Sequence, residues 1–181
     1  KFFSEVCPDV RPIGDFGMGW DGKKMDAFSK KIFSAARRSG PVGVAVYGHP
    51  MVYEPLGHFV LQACLRKGVP CCVVGGLSTV DAVLSTMKLS LYGGLGLQIG
   101  DPHHFLHSKP GPDCYILVLQ ACMDRALFRQ VIDRCLLFYP RSHRVALVEC
   151  ENWSKESVKW FSLAQLSRQA GKNQIYATLV I

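Results

Sequence analysis

The sequence predicts an α/β fold with a parallel sheet in its N-terminal part and a mixed sheet in its C-terminal part. Helical and strand patterns alternate between residues 25 and 87, which is typical of a parallel sheet with helices on its faces. Two predicted strands end in glycine turns, at Gly48 and at Gly75-Gly76. Because neighbouring parallel strands end at the same edge of a sheet, we expect these two turns to form one pocket.

The first strand is predicted over residues 42–47. Val42, Val44 and Val46 are β-branched and have small residues between them, which suits a strand covered on both faces. The glycine that follows permits backbone angles forbidden to other residues, and Pro50 removes a hydrogen-bond donor. Tyr47 and His49 are therefore expected at a ligand-binding edge. An ordinary strand-to-helix turn is the competing interpretation.

The remaining elements of this first part follow from apolar spacing and from turn residues. Met25, Phe28, Ile32 and Ala36 recur at helical spacing, and Gly40-Pro41 ends that pattern. Ser78 is placed to cap a later helix, with an aspartate three residues on. The predicted elements are a helix over Met25–Arg38, a helix over Pro55–Lys67, a short strand over Cys71–Val74 and a helix over Ser78–Met87.

A glycine-rich stretch over residues 92–96 separates two predicted domains, 1–90 and 91–181. After it, apolar β-rich runs alternate with one long amphipathic pattern, and this order indicates a mixed sheet with helices packed on it. The predicted strands are Leu95–Ile99, Cys114–Gln120, Arg144–Cys150, Val158–Phe161 and Gln174–Ile181, and the predicted helices are Met123–Leu137 and Leu163–Ser167.

Composition excludes several classes of function. The net charge is +7, but the basic residues are scattered and no basic stripe is interleaved with aromatic residues, so we predict no nucleic-acid partner. No apolar run approaches the ~20 residues that cross a bilayer, and no membrane association is predicted. The eight cysteines include no Cys-x-x-Cys pair, and most lie in apolar stretches. Reduced thiols in a cytoplasmic protein are the favoured interpretation.

Two further segments, a histidine cluster and a glycine-rich run, are candidate functional sites. His103, His104 and His107 lie close to Asp101, but no helical pattern supports them as metal ligands, and we predict no metal site. The glycine-rich run over residues 14–22 resembles a shaped loop, and its apolar side chains are expected to pack on protein or substrate. The chain begins with Lys1 in mid-pattern, which suggests that upstream elements belong to the natural protein.

Three sequence blocks occur in an order that resembles a known family. They are Tyr47-Gly48-His49-Pro50, the segment from Gly75 to Asp81, and a strand that ends in Leu119-Gln120; the last residues, 177–181, are similar to the family's final core strand. Together they resemble the tetrapyrrole-methylase-like, or class III, methyltransferases over about residues 20–181. The Gly-His-Pro version is most similar to the borosin branch, whose enzymes methylate backbone amides of a peptide.

The resemblance implies a two-domain fold, a homodimer and S-adenosylmethionine as the cofactor, with S-adenosylhomocysteine as the product. It implies a cofactor bound between the two domains, and a peptide substrate that is part of the same chain or separate. The family's glycine-rich loop after its first strand has no counterpart in this sequence. The matched cofactor-binding residues are Tyr47, His49, Pro50, Val52 and Tyr53 in a first loop, Ser78 and Thr79 in a second, Gln120 in a third, and Thr178 beside the adenine.

One part of the borosin pattern is different in this sequence. Borosin enzymes have an Arg, and four residues later a Tyr, at the start of the helix before the Tyr-Gly-His-Pro block, whereas here Lys24 and Phe28 occupy those positions. Phe lacks the hydroxyl group, and Lys lacks the planar donor fork of Arg. Tyr47 and Lys24 are therefore the candidate catalytic residues. The alternatives are a tetrapyrrole or other small acceptor, and a non-catalytic cofactor-binding or interaction module.

Overall fold

The structure is a computed structural model that describes residues 22–111, 113–150, 156–169 and 177–181. Its Cα positions form two compact units, the first ending at Gly76 and the second beginning at Leu77. The assignment of residues 1–90 and 91–181 to separate domains stays a prediction. The run over residues 14–22 falls outside the described residues except for Gly22.

The first unit contains two helices, α1 (Gly22–Ser39) and α2 (Pro55–Lys67). Met25 and Phe28 of α1 and Leu56 of α2 are buried together and form its apolar core. Helix α2 begins where Glu54 accepts a hydrogen bond from the Leu56 amide at 3.0 Å. It ends where Gly68 adopts a left-handed φ of 61°. Both helices were predicted from apolar spacing, and the structure confirms them.

The two strands predicted in this unit are wrong. Residues 41–46 and 71–78 have no strand pairing among the described residues. Val44 and Val46 are half-buried against the helix core, whereas Val74 is 78% exposed. The described residues of this unit therefore form no parallel sheet. β-Branched residues favour an extended backbone, but a β-strand also needs a hydrogen-bonded neighbouring strand.

The second unit is built on a five-stranded sheet in the order β1-β2-β5-β3-β4. Strands β1 and β2 are parallel, and the other three pairs are antiparallel. This is the mixed sheet that the sequence predicts, and the α/β fold class is confirmed. The strands are β1 (Gly96–Gly100), β2 (Cys114–Val118), β3 (Arg144–Glu149), β4 (Ser157–Ser162) and β5 (Thr178–Val180).

Helices cover both faces of this sheet, because alternate side chains of each strand point to opposite faces. Helix α3 (Thr79–Met87) packs Val83 on a face that includes Leu117 and Val180. The opposite face is covered by α4 (Pro102–His107), α5 (Arg125–Phe138) and α6 (Leu163–Gln169), through buried residues such as Phe105 and Val131. The helices predicted over residues 78–87, 123–137 and 163–167 are confirmed.

Helix α4 was not predicted, and it contains the three clustered histidines. Asp101 caps it by accepting a hydrogen bond from the His104 amide at 2.7 Å, and Pro102 occupies the first turn. The Asp-Pro pair was therefore the signal for a helix start. Across the described ranges, no three His, Cys, Asp or Glu residues are grouped as metal ligands. In the same ranges, no helix is long and apolar enough to span a membrane.

Candidate functional site

The turn over residues 47–53 carries five of the predicted cofactor contacts, and His49 shapes it. The His49 Nδ1 atom accepts a hydrogen bond from the Met51 amide at 3.1 Å. The His49 carbonyl accepts a second bond from the Val52 amide, also at 3.1 Å. Because Nδ1 is the acceptor, the neutral ring carries its proton on Nε2. The two hydrogen bonds that His49 accepts therefore stabilise the turn, and the ring has its Nε2–H group as a hydrogen-bond donor.

This turn is pressed against α2 at Gly57. A Cβ atom added to Gly57 would overlap the Pro50 carbonyl oxygen and would lie only 3.0 Å from the carbonyl carbon. Backbone atoms of a proline cannot rotate out of the way as a flexible side chain can. A glycine is thus required at this point of the helix, and the position of Pro50 depends on it.

The second glycine turn lies beside the first. A Cβ atom on Gly76 would be 2.8 Å from the Gly48 carbonyl oxygen, and one on Gly75 would be 3.4 Å from His49 Nε2. The two glycine turns therefore lie together, but neither follows a strand, so the sheet edge on which the expected pocket depended does not form among the described residues. Glycine at these positions lets two loop backbones approach more closely than side chains would permit.

An open cavity of ≈ 330 Å³ lies at the end of the first turn, where α2 begins. Tyr53 lines it and has a φ of 51°, an uncommon left-handed conformation for a bulky residue. Backbone strain of this kind is concentrated at functional sites. Two polar residues of the lining, Glu54 and His58, were missed by the sequence analysis; the Glu-Pro helix start was the only signal for their position.

The two candidate catalytic residues are both on the surface of the first unit. Tyr47 is 84% exposed, and Lys24 is exposed in the first turn of α1. Phe28, one turn after Lys24, is only 8% exposed and packs with Met25 and Leu56. The residue that replaces the borosin tyrosine is thus part of the apolar core.

In the second unit, Ser78 is used as a helix cap. Its Oγ donates to Asp81 Oδ2 at 2.6 Å and accepts from the Asp81 amide at 3.3 Å, while the Ser78 amide donates to the same carboxylate at 2.7 Å. The hydroxyl has no proton left to donate, and only a lone pair remains for a ligand. Thr79 is exposed as the first residue of α3.

Gln120 and Thr178 lie at one end of neighbouring strands. Gln120 follows β2 with a φ of 55° and is exposed. The next residue, Ala121, donates its amide to the Ala177 carbonyl at 3.1 Å, directly before Thr178 in β5. Thr178 is buried on the same face of the sheet as Val180, the face covered by α3. The structure therefore places Gln120 and Thr178 at the same end of the sheet in the second unit.

Comparisons with known proteins agree with this architecture. The sequence matches no protein-family model and no curated protein. A crystal structure of uroporphyrin-III C-methyltransferase from Thermus thermophilus is 25% identical with a TM-score of 0.68, and the match covers 86% of this chain and 70% of that one. The same enzyme complexed with S-adenosyl homocysteine is 21% identical with a TM-score of 0.63, over 86% and 71% of the two chains.

A third solved structure extends the match to almost the whole chain. A cobalt precorrin-4 methyltransferase is 14% identical with a TM-score of 0.67, and the match covers 97% of this chain and 77% of that one. The chain has the tetrapyrrole-methylase-like, class III methyltransferase fold. Within this fold, the residues that the sequence analysis assigns to the cofactor are five residues of the turn over residues 47–53, together with Ser78, Thr79, Gln120 and Thr178.

Proposed function

We propose that this chain is an S-adenosylmethionine-dependent methyltransferase that methylates a backbone amide nitrogen of a peptide, as a borosin-like enzyme acting on a ribosomally made precursor. The observation that carries the proposal is the packing of the Gly48-His49 turn against Gly75-Gly76 in a chain with a tetrapyrrole-methylase-like fold. A similar structure contains S-adenosyl homocysteine, which supports the choice of cofactor. The Tyr-Gly-His-Pro resemblance supports the choice of a peptide acceptor.

The residues present fit such a cofactor. Where Gly48 and Gly76 approach, the two loop backbones pack directly on each other, which fixes the turn that carries the proposed contacts of the first unit. In the first unit, Tyr47, His49, Pro50, Val52 and Tyr53 are the proposed contacts. The proposed contacts in the second unit are Ser78, Thr79, Gln120 and Thr178. Of these, Ser78 can only accept a hydrogen bond.

When bound, S-adenosylmethionine supplies a methyl group on a positively charged sulfur, so the protein needs little covalent chemistry of its own. The chain must align the acceptor nitrogen and exclude water around it. An amide nitrogen is a poor nucleophile until its proton is removed. Tyr47 is proposed to contact the acceptor and assist that proton transfer, and Lys24 is proposed to support the charge that develops on the amide.

Calorimetric titration with S-adenosylhomocysteine tests the cofactor assignment. Gly57→Ala places a Cβ against the Pro50 backbone and should move the turn, so we expect affinity to fall about tenfold or more. Gly43→Ala is the matched control, because a Cβ there meets nothing within 4 Å. If both variants bind S-adenosylhomocysteine with equal affinity, the turn is not part of the cofactor site. No binding by the folded wild-type protein would overturn the methyltransferase proposal.

Tyr47→Phe tests the catalytic assignment separately. The phenol is exposed, so its removal should leave folding unchanged, and we expect turnover to fall at least about tenfold with cofactor affinity retained. The readout is transfer of labelled methyl groups to a peptide library, followed by mass spectrometry of the methylated position. Unchanged turnover would show that Tyr47 has no part in proton transfer.

A second candidate acceptor is a tetrapyrrole, because solved structures similar to this chain include uroporphyrin-III and cobalt precorrin-4 methyltransferases. The borosin tyrosine is replaced by Phe28, which has no hydroxyl group, and this replacement favours an acceptor other than a peptide amide. The protein and the same labelled cofactor are incubated with a uroporphyrin-type tetrapyrrole in place of peptides. Transfer of the label distinguishes the two candidate acceptors. Cofactor binding without transfer to either acceptor would indicate a binding module. A homodimer is proposed from the resemblance, and analytical ultracentrifugation measures it.

A further inference from the structure

The open cavity where α2 begins combines a carboxylate with an aromatic ring and apolar groups. It has a volume of ≈ 330 Å³ and is lined by Met51, Tyr53, Glu54, Pro55 and His58. Among these described lining residues, Glu54 supplies the only carboxylate, and no lysine or arginine is present. The lining therefore favours a positively charged ligand over a negatively charged one.

The start of α2 offers little to an anion, although helix N-termini commonly bind anions. Pro55 is the first residue of the helix and has no amide hydrogen. The Leu56 amide donates to Glu54 Oε1 at 3.0 Å, and the His58 amide donates to the Glu54 carbonyl at 3.4 Å. A ligand in the cavity thus meets the carboxylate in place of these amide donors.

The helix cap holds the Glu54 carboxylate in one position and leaves one of its oxygens for a ligand. The Leu56 amide anchors Oε1, and within the described part of the chain no hydrogen bond or ion pair reaches Oε2. Glu54 is half-buried, so water and salt screen its charge less than that of a fully exposed carboxylate. Because the side chain is already ordered, it loses little freedom when a cation binds.

Tyr53 and Met51 provide the apolar contacts that an organic cation needs. Their side chains are 43% and 41% exposed, and both line the cavity. The face of an aromatic ring attracts a guanidinium or ammonium group, and a flexible thioether packs well against a methylene stem. A planar guanidinium also stacks on aromatic rings and matches the geometry of a carboxylate. The set of groups therefore suits arginine better than lysine.

We propose that this cavity binds the guanidinium group of an arginine side chain in the peptide acceptor. The guanidinium donates to Glu54 Oε2 and stacks on the Tyr53 ring, while its methylene stem lies against Met51. The neutral ring of His58 can accept a further hydrogen bond. An arginine held here would fix the position of the peptide, and so select which of its amides is methylated. The assignment of the cation to a peptide rests on the proposed function, whereas the binding of a guanidinium group does not.

Titration with two matched peptides tests the proposal. The probes are a blocked glycine–arginine–glycine tripeptide and the same peptide with citrulline, which has the shape of arginine without its charge. Nuclear magnetic resonance shifts of the backbone amides of residues 51–58 measure binding to the isotope-labelled protein. We expect saturable shifts with a Kd of about 1 mM or tighter for the arginine peptide, and at least about tenfold weaker binding of the citrulline peptide. Equal binding of the two peptides, or shifts confined to other residues, would overturn the proposal.

Two variants assign the charge that is recognised. Glu54→Gln removes the charge but keeps an oxygen that can accept from the Leu56 amide, and circular dichroism checks that the helix content is unchanged. We expect its affinity for the arginine peptide to fall at least about tenfold. Asp26→Asn is the matched control, because it removes one negative charge at an exposed position of α1 outside the cavity lining. Equal losses in the two variants would show a general attraction to acidic residues and would overturn the proposal.

The cofactor is a second possible source of a cation, and the same variant separates the two. If Glu54→Gln weakens the binding of S-adenosylhomocysteine and leaves that of the arginine peptide unchanged, the carboxylate serves the cofactor and the proposal is overturned. We expect the opposite result. The tripeptide titration needs neither cofactor nor turnover, so failure of the guanidinium site is distinguishable from failure of the proposed function.

Discussion

The two units use similar apolar β-branched residues in opposite ways. In the second unit, Val145 and Val148 are buried in β3, which is paired with β5 on one side and β4 on the other. In the first unit, Val42 and Val74 lie in segments without strand pairing among the described residues, and both are exposed. The difference shows that burial of such a segment requires hydrogen-bonded neighbours on either side. The second unit is thus the more densely packed part, and the first carries two exposed turns.

The largest expected contrast is between two leucines. Leu117 is fully buried in β2, and Leu65 is 65% exposed on α2. Leu117→Ala leaves a cavity in a packed core and should lower the free energy of unfolding by about 2–5 kcal/mol. Leu65→Ala should change it by less than about 0.5 kcal/mol. Urea unfolding followed by circular dichroism measures both, and similar losses would contradict the packing difference between the units.

A second contrast concerns buried thiols and alkaline pH. Burial raises the pKa of Cys135 to about 12, and burial with the nearby Glu149 carboxylate raises the pKa of Cys122 to about 12. Above the ordinary thiol pKa of 9.0, the unfolded chain loses these protons while the folded protein keeps them. Their contribution is therefore complete below pH 9.0 and is lost as the pH rises toward 12, by up to about 1.4 kcal/mol per pH unit for each thiol.

Unfolding by urea at pH ~8 and pH ~10.5 measures this decline. The doubly substituted Cys122→Ala, Cys135→Ala protein starts less stable but should lose less stability between the two conditions. Cys72→Ala, at an exposed position, should show the wild-type decline. A decline of equal size in all three proteins would show that other groups cause it.

The smallest expected contrast is between two helix caps. Ser78 caps α3 with a reciprocal pair of hydrogen bonds to Asp81, whereas Glu54 caps α2 with a single bond to the Leu56 amide. Ser78→Ala should cost about 1 kcal/mol of unfolding free energy, and Glu54→Ala about half of that. Urea midpoints compare the two. A larger loss for Glu54→Ala would mean that this carboxylate has a second structural role.

The sequence predicts the elements of both units well where the signals are local. Helix α2 has the predicted bounds, since Pro55 and Gly68 mark its ends. Strand β3 was found because an apolar run of its length is buried on both faces. Helix α4 was missed because six residues are too few to display a helical period. The strands predicted at residues 42–47 and 71–74 failed because pairing depends on residues far away in the sequence.

Part of the candidate site was predicted because glycine residues are local signals for turns. Glycines at 48, 75 and 76 marked two turns, and the structure places these turns in contact. The spacing of Met25 and Phe28 already assigned both to one apolar stripe, and their burial follows from it. The cavity beside Tyr53 had no sequence signal, since it depends on how a strained turn meets the start of α2.

The strand order of the second unit has a consequence for how the protein folds during synthesis. Strand β5 lies in the middle of the sheet, between β2 and β3, although it is the last described strand in the chain. The β1-β2 and β3-β4 pairs can form as the ribosome releases them, but they cannot join until residues 178–180 have emerged. Until then each pair presents an unpaired edge and exposed apolar residues, the state in which nascent chains aggregate and recruit chaperones.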